Sequence, residues 1–172
     1  MTRLIYETHS ITVDNENGIA TGWLPGELSS EGVHLAKELG ERRRDVDVVF
    51  SSDLLRAVQT VEVAGFVVPH LQDWRLRECN YGELNGAPVD ALAPRVERVR
   101  NPFPGGQSYA DVVDLTRSFL ADVKQWYDAA TVLVVAHSAN RWALEHLLGS
   151  GRPMEELIEA PFDWQPGWTY AL

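Results

Sequence analysis

Thr131 to His137 reads TVLVVAH, an apolar and largely β-branched run with a histidine directly behind it. A run with no polar face to offer water reads as a strand buried on both sides, the signature of a parallel sheet covered by helices. The amino terminus repeats the arrangement. Thr2 to Tyr6 (TRLIY) reads as a first buried strand, and His9 follows it, ahead of a polar stretch with Ser10, Asp14, Asn15, Asn17 and Gly18. In open α/β sheets ligands bind outside the carboxyl ends of the strands. Two histidines at two such ends therefore point to histidine chemistry.

The intervening chain alternates. Leu28 to Arg44 reads as a helix capped by Ser29 or Ser30, with Glu31 in its first turn and Arg42, Arg43 and Arg44 at the C-terminal end of the dipole. Those three arginines are expected to be solvated. Val46 to Phe50 reads as a strand. Ser51 and Ser52 are candidate caps for a helix running to about Ala64 and closed by Gly65, and Phe66 to Val68 reads as a third strand stopped by Pro69. Residues 72–107 look irregular, with a Pro-Gly-Gly turn at 104–106. Within them, 87–103 is the stretch available as a lid. Ser108 and Asp111 form a capping-box-like pattern before a helix whose apolar face carries Val112, Val113, Phe119, Leu120, Val123, Trp126 and Tyr127. A helix over 139–148 and a final strand over 168–172 complete the order. The expected architecture is a single α/β domain over 1–172, a three-layer α/β/α sandwich with a mostly parallel central sheet.

Composition narrows the function. The formal net charge of -10 opposes non-specific nucleic-acid binding, and an anionic substrate must be attracted by local groups against the global field. A single cysteine, Cys79, excludes an intrachain disulfide and fits a reducing compartment. No apolar run reaches membrane-spanning length, and no signal-peptide pattern opens the chain. A cytoplasmic protein with no membrane partner is expected. His34, His70 and His146 lack partners at metal-ligand spacing, so neither a metal nor a cofactor is expected.

Five segments, in order, carry a family resemblance. His9, Asn15, Thr21, Gly22, Trp23, Leu28, Ser29 and Gly32 form the first, and SSDLLRAVQT at 51–60 the second, with Arg56. ECNYGELNG at 78–86 is the third, with Glu78, Tyr81, Gly82 and Gly86; PGGQSYADV at 104–112 is the fourth, and VVAHSANRWAL at 134–144 the last, with His137. The chain resembles the histidine phosphatase superfamily, which includes cofactor-dependent phosphoglycerate mutase. The resemblance implies a phosphoglycerate mutase-like fold and phosphoryl transfer through a phosphohistidine.

The chemistry fits the residue types. Neutral imidazole is nucleophilic near neutrality, and His9 is the candidate nucleophile, its second ring nitrogen held by a backbone carbonyl to fix the tautomer. Arg56 and His137 would meet charge on the phosphoryl oxygens. Glu78 would protonate the leaving alkoxide. Thr8, Ser10, Asn15, Thr21, Gly22 and Ser138 are the candidate substrate contacts, the last at a helix amino terminus. Trp23 reads as packing.

Three positions depart from the family pattern. Its arginine before the first histidine is Thr8 here, and its glycines after the two histidines are Ser10 and Ser138. Losing the arginine removes a bidentate phosphate clamp, and Glu7 would repel phosphate if it faced the pocket. Arg75, Arg77 or Arg141 substitutes for it, or the bound group carries less charge, or the chain is a weakened relative that binds without turnover. Family mutases are longer, with extra segments over the site, so the reading favours hydrolysis of a small soluble phosphomonoester by water entering at phospho-His9. The alternatives are a non-catalytic ligand-binding or regulatory module and a mutase-type phosphotransferase. Small phosphorylated metabolites or inorganic phosphate are the expected partners.

Overall fold

A computed structural model describes residues 1–172. In chain order the strands are β1 (Arg3–Thr8), β2 (Ile19–Ala20), β3 (Val48–Ser51), β4 (His70–Gln72), β5 (Ala87–Pro88), β6 (Thr131–Ala136) and β7 (Trp168–Ala171). The helices are α1 (Val13–Glu16), α2 (Ser30–Arg42), α3 (Leu55–Ala64), α4 (Tyr109–Trp126), α5 (Ser138–Leu148) and α6 (Met154–Glu159). Five strands form the central sheet in the order β4-β3-β6-β1-β7. The first four are parallel, and β7 pairs antiparallel with β1 at the edge. The small β2–β5 pair is separate.

Strand alternation sorts the core into two faces. Ile5, Val49, Leu133 and Val135 pack against Leu39 of α2 and Val61 of α3. Leu4, Tyr6, Val48, Phe50, Val132 and Val134 pack against Phe119, Leu120 and Val123 of α4 and Leu144 of α5. With helices on both faces, the sheet has the three-layer α/β/α architecture that the apolar runs predict. No helix is long and apolar enough to cross a membrane.

Local expectations fare unevenly. Ser29 caps α2 by accepting from the Gly32 amide, and Ser108 and Asp111 form a reciprocal capping box on α4. Gly65 closes α3 in the left-handed conformation, at φ 69°. The third strand lies beyond Pro69 rather than before it. Phe66 and Val68 pack as partly buried side chains against the Leu39–Val61 cluster, and the ladder starts where the Val49 amide donates to the Pro69 carbonyl. Ser51 and Ser52 do not cap α3, whose N-cap is Leu54, without a side-chain bond. Ser51 ends β3, and its hydroxyl bonds the His70 imidazole at 2.7 Å.

The stretch 87–103 is not a lid. Leu92, Val99 and Phe103 are buried in a cluster with Tyr109, Trp142 and Leu157, and the Ala110 amide donates to the Val99 carbonyl. Burial of large side chains holds this segment onto α4, α5 and α6.

Gly32 lets α2 approach the loop that follows His9. A Cβ there would land on the Ile11 carbonyl oxygen, which already accepts from the Ser29 amide at 3.0 Å. Backbone cannot yield as a side-chain tip can. Gly32→Ala is therefore expected to destabilise the protein by about 1–3 kcal/mol despite its better helix propensity. Thermal unfolding should show a Tm lowered by roughly 3–10 °C; an unchanged Tm would contradict the close approach.

Candidate active site

β1 and β6 are parallel neighbours, with Thr8 opposite Ala136. The His9 amide extends the ladder by donating to the Ala136 carbonyl at 2.9 Å. His9 and His137 thus leave the sheet side by side, with ring centroids 5.1 Å apart.

The His9 Nδ1 lies 2.8 Å from the Ser10 carbonyl. A carbonyl only accepts, so the neutral ring carries its proton on Nδ1 and keeps the lone pair on Nε2. Burial, then the positive charge of Arg56, depress the His9 pKa to about 3. The ring is neutral at pH 7, the form that can attack phosphorus. His137 is fully buried and is also held well below the usual histidine value, by burial and then by Arg56 and His9. His137 is therefore neutral at pH 7 and would be a charge-assisted donor only if protonated. Its Nε2 bonds the Ser52 hydroxyl at 2.6 Å, while Nδ1 is buried with no partner. The Tyr6 hydroxyl donates to the His137 carbonyl at 2.7 Å, and the His137 amide donates to Asn140 Oδ1.

Arg56 sits in the first turn of α3 and is 3% exposed. It donates to the Gly22 carbonyl at 2.8 Å and the Leu24 carbonyl at 3.2 Å. Gly22 has φ 56°, and a Cβ there would strike Asn85 and Tyr81. The glycine places its carbonyl against the guanidinium rather than lining the cleft. The Thr21 hydroxyl is likewise engaged, donating to Asp14 Oδ2 at 2.8 Å. Arg56 makes no ion pair. Its hydrogen bonds go to neutral carbonyls, and the carboxyl groups of Glu78 and Asp14 act on it from beyond contact distance, so the guanidinium lacks a directly bonded anion.

Glu78 is also buried, and burial is the main cause that raises its carboxyl pKa. The Cys79 amide donates to Oε1 at 2.8 Å, and the Trp23 indole donates to the Glu78 carbonyl at 2.7 Å. Trp23 thus does more than pack. It fixes the backbone of Glu78 while its ring lies 4.7 Å from the Arg77 guanidinium.

A cleft of about 490 Å³ opens beside His9 and is lined by Thr8, Ser10, Asn15 and Ser138. A cavity of equal volume between Lys37 and Val68 contains none of the candidate residues. Asn15 Oδ1 accepts from the Thr12 amide in the capping box of α1, which leaves its amide nitrogen for a ligand. The Ser10 amide donates to Thr60 and the Ser10 hydroxyl to the Gly32 carbonyl.

Of the three arginines considered as substitutes for the one missing before His9, Arg75 and Arg77 are committed to ion pairs, and Arg141, without an ion pair, lies against aromatic residues of the cleft wall. Arg75 pairs with Asp73 and Asp122, Arg77 pairs with Asp53, and the Arg141 guanidinium lies 5.3 Å from the ring centroids of both Phe162 and Trp168. None of the three lines the cleft. Glu7 is turned onto Arg42 and Arg43, at 2.9 and 2.8 Å, so these arginines are not a solvated helix end and Glu7 is neutralised.

A model of the histidine phosphatase superfamily (branch 1) matches residues 8–163. The chain belongs to the histidine phosphatase superfamily. Phosphoglycerate mutase 1 of Saccharomyces cerevisiae is 28% identical over 87% of this chain and 79% of its own length. Among solved structures, a mycobacterial glucosyl-3-phosphoglycerate phosphatase in complex with VO3 superposes with a TM-score of 0.76 at 30% identity, covering 91% of this chain and 85% of that one. YhfR of Bacillus stearothermophilus superposes at 0.83 over 96% of this chain and 88% of its own, at 23% identity, a likeness of fold. The superfamily includes phosphatases and mutases, and phosphoryl transfer is the chemistry they share.

Proposed function

We propose that this histidine phosphatase superfamily member hydrolyses a small phosphomonoester through a phosphohistidine on His9. One observation carries the reading: a buried, unpaired Arg56 acts on two adjacent neutral histidines, one with a free Nε2 and the other with an unpartnered Nδ1. Such a site is completed by a directly bonded anion. Phosphate supplies oxygens to Arg56, to the Asn15 amide and to His137, while His9 Nε2 faces phosphorus. The Nε2 of His137 is taken by the Ser52 hydroxyl, so Nδ1 is the ring nitrogen left for a phosphate oxygen.

In the first step the His9 Nε2–P bond forms and the P–O ester bond breaks, and Glu78 gives its proton to the leaving alkoxide. In the second, Glu78 takes a proton from water as the water oxygen bonds phosphorus and the N–P bond breaks. Hydrolysis is favoured over transfer because 87–103 is anchored by Leu92, Val99 and Phe103 and lines no part of the cleft. The test is incubation with an aryl phosphate, followed by product assay and by mass spectrometry at His9 after rapid quench at neutral pH. Product together with a transient 80 Da adduct on His9 is the expected result (the mass of a transferred phosphoryl group, about 80 Da). Absence of both under millimolar substrate favours the binding-module alternative.

Thr8 lines the cleft with its hydroxyl 3.3 Å from that of Tyr6, and the one arginine of the lining, Arg42, is bonded to Glu7. Thr8→Arg is therefore expected to tighten inorganic phosphate or vanadate binding by about tenfold or more, through a charge-assisted fork beside His9. Titration calorimetry reads this directly. Unchanged or weaker binding would mean that the phosphate oxygens do not reach position 8.

A further inference from the structure

The cleft beside His9 does not end at the phosphate. It continues along α2 past Leu35 and Leu39, and its opposite wall is built by Phe162, Trp164 and Trp168. Phe162 and Trp164 are 60% and 64% exposed, large apolar surface for side chains that face a cleft. The wall is braced from behind. The Arg141 guanidinium stacks between Phe162 and Trp168, Trp168 packs on Tyr6 at 5.7 Å between centroids, and Arg43 donates to the Pro166 carbonyl. Tyr6 in turn holds the carbonyl of His137, so the wall and the catalytic histidine share one support.

The charge balance of this region is as informative as its shape. Arg42 is the one arginine or lysine lining the cleft, and it is bonded to Glu7. The other cation of this region, Arg141, makes no ion pair but lies behind the rings of Phe162 and Trp168 and is not part of the lining. We infer that the leaving group of the substrate is uncharged and aromatic, lying against Phe162 and Trp164 while its phosphate sits at His9. The inference rests on the phosphatase reading and adds the substrate class. A planar ring gains stacking contact and water release along this wall. A phosphorylated sugar acid would instead bring a carboxylate into a cleft whose lining has no unpaired cation and carries the Glu38 carboxylate.

The test uses alkyl phosphates, whose leaving alcohols have similar acidity: 2-naphthylmethyl phosphate, ethyl phosphate and 3-phosphoglycerate. The wild-type protein is expected to turn over the naphthylmethyl ester with a KM at least about tenfold below that of ethyl phosphate, the scale of one stacked ring. 3-Phosphoglycerate should be the poorest of the three. Phe162→Ala combined with Trp164→Ala should remove the naphthyl advantage by raising the naphthylmethyl phosphate KM about tenfold. Calorimetry with the non-hydrolysable 2-naphthylmethyl phosphonate and ethyl phosphonate gives the same comparison without turnover. Equal affinity for the two phosphonates, or a preference for 3-phosphoglycerate, overturns the aromatic subsite, even with phospho-His9 observed and the phosphatase reading intact. Naphthyl phosphonate binding with no hydrolysis and no adduct on His9 overturns the phosphatase reading instead, and with it the leaving-group role of the wall.

Discussion

His9→Ala is expected to lower phosphomonoester hydrolysis by at least about a thousandfold while the protein remains folded. The loss is large because the nucleophile belongs to a set that acts together: removing the ring removes the covalent intermediate, and no neighbour replaces it. His137 is the nearest imidazole, but its Nε2 is taken by Ser52. The fold should tolerate the change because His9 lies outside the apolar clusters of both sheet faces. Its folded-state pKa near 3 also makes the wild-type ring a liability below neutrality. The unfolded chain takes up that proton around pH 6.5 while the folded one does not, so stability falls as pH drops from about 6.5 toward 3, and the alanine variant should lose less over that window. Steady-state rates with an aryl phosphate, set beside urea unfolding at pH 7 and pH 5, check both halves. Turnover within tenfold of wild type would remove His9 from the mechanism.

Glu78→Gln is expected to cost about 10²–10⁴ in kcat/KM for an alkyl phosphate and much less for a nitrophenyl phosphate, whose leaving group needs no proton. Burial raises the Glu78 pKa. The acid form therefore persists to higher pH than that of a solvated carboxyl group. Activity toward alkyl esters should fall as pH rises through that raised pKa, and the descending limb should be absent in the variant. Folding gives an independent control. A carboxyl group with a raised folded-state pKa contributes stability below its unfolded pKa and loses it as pH rises through the folded one, so the amide variant should be at least as stable as wild type at pH 8. An equal loss on both ester types, or an unchanged alkaline limb, would place the general acid elsewhere.

The sheet and the two histidines were legible because buried parallel strands announce themselves as apolar runs, and TVLVVA before His137 has no competing reading. The five ordered segments did the same for the family. The edge strand His70–Gln72 was not legible: it is polar, short, and defined only by its pairing with β3. Helices α1 and α6, of 4 and 6 residues, are too short to show a period. Within the site, local sequence suggested Ser51 and Ser52 as caps, while a contact across 85 positions gave Ser52 to His137. The Trp23 bond to Glu78 spans 55 positions and had only the residue's place after Thr21 and Gly22 as a signal. The aromatic wall was missed because Phe162 and Trp164 sit in a stretch with no periodicity, and the strand read over 168–172 gave no sign that Trp168 lines a cleft.

The β1–β6 ladder is also a ruler. Because Thr8 stands opposite Ala136 and the hydrogen bonding runs on to His9, the two imidazoles owe their adjacency to counting residues along two strands. Deleting or adding one residue within either strand would shift its histidine by about 3.3 Å and turn the side chain to the opposite face of the sheet. Length variation among active descendants of this chain is thereby confined to segments outside β1 and β6. The loops on the far side of the sheet can grow or shrink freely, while these two strands cannot change by a single residue without dismantling the pair.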